Sequence, residues 1–265
     1  MSYRFTILGC GSSGGVPRIG MSWGACDPDN PKNRRLRCSA LIERIGPAGQ
    51  SAVLIDTSPD FRAQILAARI MALDGVLYTH DHADHTHGID DLRMVTFAMK
   101  KRIDVYFDAR TGQSLRERFA YCFKTPEGSN YRPILNGHDI DGVTPVAIAG
   151  PGGAITAMPI PQVHGDITSL GYRVSKLAYS PDISDIPEAS LPLLEGLDVW
   201  VVDALRYTPH ESHFSVKQAL KWVRRLKPKR TILTHMTSEL DYETLRRDLP
   251  AGVEPAYDGM TVAFS

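Results

Sequence analysis

The sequence predicts one α/β domain, and three observations carry that reading. Short apolar runs with strand-like alternation are interleaved with segments whose apolar residues recur at helical spacing. Several of the apolar runs end in a His or an Asp. No low-complexity linker or internal repeat divides the 265 residues into parts, so the domain is expected to span 1–265. Polar, chemistry-bearing residues at strand ends place a site along a sheet edge.

The elements follow in order. Phe5–Leu8 reads as an opening strand, and Gly9 to Gly15 as a Gly/Ser-rich loop that fits a tight turn and does not match the P-loop pattern. Ser22 to Arg37 is a polar loop whose basic run (Lys32, Arg34, Arg35, Arg37) is either solvated or a clamp for an anionic substrate. Ser39–Ile45 and Ser51–Ile55, joined by Gly46-Pro47-Ala48-Gly49, form a hairpin that Asp56 closes. Phe61 to Met71 has helical spacing, and Gly75–Tyr78 is a short buried strand. Leu92–Met99 continues as helix, Val105–Phe107 as strand and Ser114–Tyr121 as helix, and 125–142 is irregular enough to be a flap over a site. Further strands are expected at Val146–Ile148, Ala154–Ile160, Thr168–Val174, Lys176–Tyr179, Val199–Val202 (ending at Asp203), Thr231–Thr234 and Thr261–Phe264. Ser215 suits the N-cap of an amphipathic helix running to Leu226.

The stretch Thr79-His80-Asp81-His82-Ala83-Asp84-His85 organises the rest. His80 and His82 sit two apart, so on an extended strand end both side chains point the same way. Asp84 and His85 follow once the chain has turned and face a second point nearby. So many imidazoles and carboxylates make poor core material, because buried polar groups need partners. A pair of divalent metals satisfies them; a His-rich solvated loop is the plain alternative. More candidate ligands sit at strand ends downstream: His164 in a Val-His-Gly turn, Asp182 after Tyr179-Ser180-Pro181, and His235 after Thr234.

Composition narrows the function classes. Lys plus Arg is 30 and Asp plus Glu is 30, a net charge of zero, which disfavours a chain gripping nucleic acid by its phosphates. No apolar run approaches the roughly 18 residues of a membrane span, and the first residues lack a secretory pattern. Cys10, Cys26, Cys38 and Cys122 are few and scattered. A cytoplasmic, thiol-reduced protein is expected, with no membrane partner.

The order His-x-His-x-Asp-His, a distant His, an Asp after a strand and a last His after another resembles the metallo-β-lactamase fold superfamily over nearly the whole chain. The resemblance implies a four-layer αβ/βα sandwich with a dinuclear metal site at one edge of its two sheets. It implies that His80, His82 and His164 hold one ion, that Asp84, His85 and His235 hold the second, and that Asp182 bridges. Asp56 would orient a ligand imidazole. Two divalent cations are implied, zinc or manganese, since imidazole and carboxylate accept several metals. Asp84 counts as a catalytic residue too, because phosphodiesterase-type members keep the full Asp-His pair.

Several stretches are similar to the PhnP-type phosphoribosyl cyclic phosphodiesterases: Leu8-Gly9-Cys10-Gly11 with Gly15-Val16-Pro17, Asn33-Arg34-Arg35 through Cys38-Ser39, His87 to Arg93, and Asp203-Ala204-Leu205-Arg206 leading to His213-Phe214-Ser215. That likeness implies hydrolysis of a small cyclic or nucleotide-like phosphate ester by a metal-bridging hydroxide. His213 would be the general acid that protonates the leaving oxygen. His210 is a weaker candidate, His87 is open between shell and substrate, and His138 carries no motif. Arg34, Arg35 and Arg93 are candidate phosphate contacts. One departure stands out: the pattern's structural zinc needs a Cys-x-Cys-x-x-Cys run and a later His. Here those positions are Met21, Trp23, Cys26 and Ser238, so no zinc is expected there and Met21 and Trp23 would fill the space. Rival readings are a tRNA 3′-processing nuclease, a thioester or lactone hydrolase, and a non-catalytic metal-dependent binding module. Trp23 and residues 125–142 offer surfaces for a homodimer.

Overall fold

A computed structural model describes residues 2–265. The first half runs β1 (Ser2–Gly9), β2 (Ser39–Gly46), β3 (Gly49–Ile55), α1 (Phe61–Ala68), β4 (Gly75–Leu77), α2 (Ala83–Thr86), α3 (Leu92–Met99), β5 (Ile103–Phe107), α4 (Ala109–Arg118), α5 (Ala120–Phe123) and β6 (Leu135–Asp139). The second half runs β7 (Val146–Ile148), β8 (Ile155–His164), β9 (Ile167–Val174), β10 (Leu177–Ser180), β11 (Val199–Asp203), α6 (Val216–Leu226), β12 (Arg230–Thr234), α7 (Tyr242–Asp248), β13 (Val253–Pro255) and β14 (Thr261–Phe264).

These strands make two seven-stranded mixed sheets, ordered β14-β1-β2-β3-β4-β5-β6 and β13-β12-β11-β10-β9-β8-β7. Strand alternation decides which face each side chain serves. Phe5, Ile7, Ala40, Ile42, Val53 and Ile55 point between the sheets and meet Ile160, Tyr172, Tyr179 and Trp200 of the second sheet. Leu8, Leu41 and Leu54 point outward beneath Phe61 and Ile65 of α1, Leu92 and Val95 of α3 and Leu115 of α4. Val216 and Ala219 of α6 and Leu245 of α7 join the core on the second sheet's side. The result is the expected four-layer αβ/βα sandwich. Burying each large apolar side chain of the inner layer contributes about 1.5–3 kcal/mol. Trp200 Nε1 in that layer donates to Ser180 Oγ at 3.2 Å. Tyr172 Oη donates across the sandwich to the Tyr78 carbonyl at 2.7 Å, and the Leu170 amide to the Thr79 carbonyl at 2.8 Å. Those two bonds pin the sheets together beside the histidine stretch.

Several boundaries differ from the sequence reading. The first helix stops at Ala68, short of Met71, because Arg69 takes a left-handed conformation (φ 54°) and the Ile70 amide returns to the Ile65 carbonyl at 3.1 Å. The helix expected from Ser114 begins at Ala109, capped by Asp108, whose carboxylate accepts from the Thr111 amide at 2.7 Å. Gly112 in its middle is a packing requirement: a Cβ there would lie 2.6 Å from the Phe107 ring. Residues 125–142 are not a flap. They contain edge strand β6, paired in parallel with β5, and none of them lines the cleft described below.

Candidate metal centre

Parallel strands whose carboxyl ends share one rim are where an α/β sheet presents its chemistry. In the first sheet β3 is followed by Asp56, and β4 by Tyr78-Thr79-His80. In the second, β10, β11 and β12 run parallel and deliver Asp182, Asp203 and His235 just beyond or at their ends. His164 is the last residue of β8. The two rims face each other, so residues from distant parts of the chain converge.

The convergence is close. His85 Nε2 lies 3.0 Å from Asp182 Oδ1, and His235 Nε2 lies 3.5 Å from Asp182 Oδ2. Asp84 Oδ2 is 3.6 Å from both His85 Nε2 and His235 Nε2. His164 Nε2 is 3.7 Å from Asp182 Oδ2 and 3.3 Å from His82 Nδ1, and His80 Nε2 is 3.9 Å from Asp182 Oδ2. Three sets of donor atoms within 4.8 Å of one another recur here: His80-His82-His164, His80-His85-Asp182 and Asp84-His85-His235. Asp182 sits between the first and the last. The structure therefore brings together all seven residues that the sequence singled out as ligands.

The donor set fits divalent ions. His80 Nε2, His85 Nε2, His235 Nε2 and Asp182 Oδ1 are buried and have no hydrogen-bond partner in the protein. Each is a buried polar atom turned inward, an arrangement that costs stability unless a cation completes it. Electrostatics agree. Burial pushes Asp182 upward, but His235 and His85 outweigh it and hold its carboxyl well below the ordinary range. Burial likewise opposes Asp84, which His85 and His235 hold low, so both carboxylates stay ionised at neutral pH. Burial lowers His80 far below its usual value and His164 to about 4, keeping both neutral and able to donate a lone pair.

A second ring of partners fixes the ligands. Asp56, fully buried, accepts from the Thr79 amide (2.8 Å), Thr79 Oγ1 (2.8 Å) and His85 Nδ1 (2.7 Å). The role expected for Asp56 thus has a geometry. The Ser212 carbonyl accepts from His164 Nδ1 at 2.6 Å, and Thr79 Oγ1 lies 2.9 Å from His80 Nδ1. Those bonds leave Nε2 of each imidazole facing the centre.

His213 stands beside this group. Its Nδ1 lies 2.7 Å from Asp203 Oδ2, its ring stacks on His235 at 4.6 Å and 14°, and its side chain is 12% exposed. Burial lowers His213 and raises Asp203, disfavouring the charged form of each. The sequence placed Asp203 at a strand end and in the stretch leading to His213 without giving it a role; an Asp closing a parallel strand next to two others that deliver site residues was the available signal for the pairing. A cleft of about 290 Å³ opens beside His213 and His235, walled by Ser12, Ser13, Gly14, Arg18, Arg206 and His210.

The remaining candidates fall elsewhere. His87 packs edge-on against Phe119, and His138 stacks on Tyr106 and pairs with Asp104; neither falls in a potential metal group among the described residues. Arg34 lies over the Trp23 ring and Arg93 pairs with Asp90, so neither faces the cleft; Arg18 and Arg206 do. Arg35 is neither solvated nor a phosphate clamp: it is 2% exposed and hydrogen-bonded to main-chain carbonyls. Met21 is 71% exposed and does not fill the place of the absent structural zinc. Cys26 is buried there, its Sγ 3.5 Å from the Ser238 and Leu240 carbonyls, and belongs to none of the potential metal groups among the described residues.

Fold and site together define a metallo-β-lactamase-type protein, and residues 51–236 match the family model of the beta-lactamase superfamily domain, so the chain belongs to that superfamily. Within it the chain resembles a crystal structure described as a new diphosphatase from the PhnP family, with 36% identity, a TM-score of 0.89, and coverage of 100% of this chain and 98% of that one. Zinc-bound PqqB from Methylobacterium extorquens shares the fold at 19% identity and a TM-score of 0.75, covering 98% and 99% of the two chains. An octanoyltransferase of Porphyromonas gingivalis is 34% identical over 261 residues, 97% of this chain. The chain spans about half of that relative's length, 51%. No helix among the described residues is long and apolar enough to cross a membrane.

Proposed function

We propose that this protein is a dinuclear metal-dependent phosphodiesterase acting on a small cyclic or nucleotide-like phosphate ester. His80, His82 and His164 would hold one ion, Asp84, His85 and His235 the other, with Asp182 shared. When bound, such ions supply Lewis acidity toward phosphoryl oxygens and a nucleophile at neutral pH. The protein's own residues do the rest. Asp56, Thr79 and the Ser212 carbonyl hold the ligand imidazoles in the tautomer that turns Nε2 inward.

The observation that carries the reading is the His213–Asp203 pair at the wall of the cleft. An imidazole that is not needed as a ligand, held by a carboxylate and stacked on one that is, suits proton transfer to a leaving oxygen. Asp203 fixes Nδ1, which leaves Nε2 to carry the donated proton. An anionic phosphate entering the cleft favours the protonated imidazole and opposes the lowering that burial imposes. Arg18 and Arg206 add positive charge to the same wall, and the volume suits a small ester. The similarity to a PhnP-family diphosphatase supports phosphate chemistry.

The test is hydrolysis of bis-p-nitrophenyl phosphate and of a ribose 1,2-cyclic phosphate by metal-loaded wild type and His213→Ala. A fall of ~10²-fold or more, with metal content unchanged, supports general acid catalysis by His213. No turnover of either ester by the two-metal protein overturns the phosphodiesterase reading. Acyl chemistry is the second reading, favoured by the octanoyltransferase relative. An octanoyl thioester in the same assay separates the two.

A further inference from the structure

His235 is one of few non-glycine residues in the left-handed region, at φ 57°. Such a conformation costs on the order of 1–3 kcal/mol and persists only where the surroundings dictate it. The residues just after it show how. The Met236 amide donates to the Cys10 carbonyl at 2.9 Å, and the Thr237 amide to the Leu205 carbonyl at 3.0 Å. Beyond these, residues 237–240 fold around one side chain. Arg35 Nη1 donates to the Thr237 carbonyl at 3.0 Å and Arg35 Nη2 to the Leu240 carbonyl at 2.6 Å. The same guanidinium reaches Asn33 Oδ1 at 3.3 Å and Cys26 Sγ at 3.8 Å.

A buried arginine normally meets a carboxylate. Here its partners are neutral oxygens and one thiol. Its main chain is locked as well, exchanging two 2.9 Å bonds with Val16 in the segment that leads out of the glycine loop. A guanidinium is a rigid planar fork, so it can hold two carbonyls at a set separation in a way that an ammonium cannot. The carbonyl it grips at Thr237 is two residues from His235 and belongs to a residue that lines the cleft.

We propose that Arg35 is a positioning residue for His235: the fork between the Thr237 and Leu240 carbonyls holds the turn that keeps His235 left-handed and its Nε2 on Asp84 and Asp182. This rests on the two-metal reading above. Loosening the fork releases the ion that His235 would hold and leaves the His80-His82-His164 ion in place.

The experiment counts zinc per chain, and measures the dissociation constant of the weaker site, after loading wild type, Arg35→Lys, Arg35→Ala and the exposed control Arg34→Ala. Wild type and Arg34→Ala are expected to retain two ions. Arg35→Lys should weaken the second site by about 10–100-fold, as loss of a ligand's supporting partner does. Arg35→Ala should retain one ion, and added methylguanidinium, but not methylammonium, should return the second. Where Arg35→Ala fails to fold, the Lys variant decides, since it keeps stem and charge. Two ions held with wild-type affinity by Arg35→Lys would overturn the proposal and leave the two-metal reading standing. A natively folded Arg35→Ala that methylguanidinium does not restore would also overturn it, by making the loss one of packing. Fewer than two ions in wild type would remove the two-metal reading itself, and this inference with it.

Discussion

Replacing Asp56 tests how the site is held, and the structure sets the size of the effect. Its carboxylate accepts three bonds within 2.8 Å, from the Thr79 amide, the Thr79 hydroxyl and His85 Nδ1. Asp56→Ala strands the amide and the imidazole in a buried setting, at about 1–3 kcal/mol each. The hydroxyl keeps a partner, because His80 Nδ1 lies 2.9 Å away. Asp56 also sits at φ 62°, where alanine adds on the order of 1 kcal/mol of strain. Relief of a buried carboxylate, whose pKa burial has already raised, offsets part of this. The expected loss is roughly 3–5 kcal/mol, read by urea unfolding of the metal-free protein. Asp56→Asn separates stability from ligation. The amide oxygen still accepts from Thr79, but its NH₂ faces His85 Nδ1 and forces the proton to Nε2, the atom turned toward Asp84 and Asp182. Asn should therefore be more stable than Ala yet bind zinc about 10–100-fold more weakly than wild type in competition with a chromogenic chelator. Wild-type zinc affinity in Asp56→Asn would show that Asp56 does not set the His85 tautomer for ligation.

Other outcomes follow from the same geometry. Asp258 is half-buried, its carboxylate accepting from the Cys10 and Leu36 amides, and desolvation of that carboxylate pushes it up to about 7 from an ordinary 3.8. A raised folded-state pKa means stability present below 3.8 and lost as pH rises toward 7; the gap, at about 1.36 kcal/mol per unit, is ~4 kcal/mol. Urea midpoints of wild type minus Asp258→Asn should fall over that window and flatten above it; a rising difference would contradict the sign. Ser215→Ala removes a capping box with Gln218 at the start of α6 and should cost about 1 kcal/mol, seen as a lower melting temperature. Chelating two ions present at 100 times their dissociation constants should remove about 2.7 kcal/mol per site and lower the melting temperature by roughly 10–20 °C, whereas an unchanged melt would argue against bound metal.

The residues that were legible are those whose pattern is local. His80 to His85 crowd one strand end, and the hairpin of β2 and β3 carries its own alternation and turn. Those that were not legible depend on partners far along the chain. Arg35 reads as one of four cations in a polar loop until the carbonyls of Thr237 and Leu240, some two hundred residues later, close around it. Asp203 looks like an ordinary strand end until the following loop returns His213 to within 2.7 Å. Strand β6, Leu-Asn-Gly-His-Asp, has little β propensity, and only its pairing with β5 makes it a strand. The first half of α4, before Ser114, was hidden by Gly112, which sits there because the Phe107 ring leaves no room for a side chain.

The most direct measurement is anomalous diffraction at the zinc edge from crystals of the reconstituted protein. His213 and His235 also fall into a group with Asp203, and His164 and Asp182 into one with His213, so the histidines admit more than one partition. Two peaks are expected, one among His80, His82 and His164 and one among Asp84, His85 and His235, with Asp182 between them and His213 free of both. A single peak, or a peak that takes His213 as a ligand, would contradict that partition.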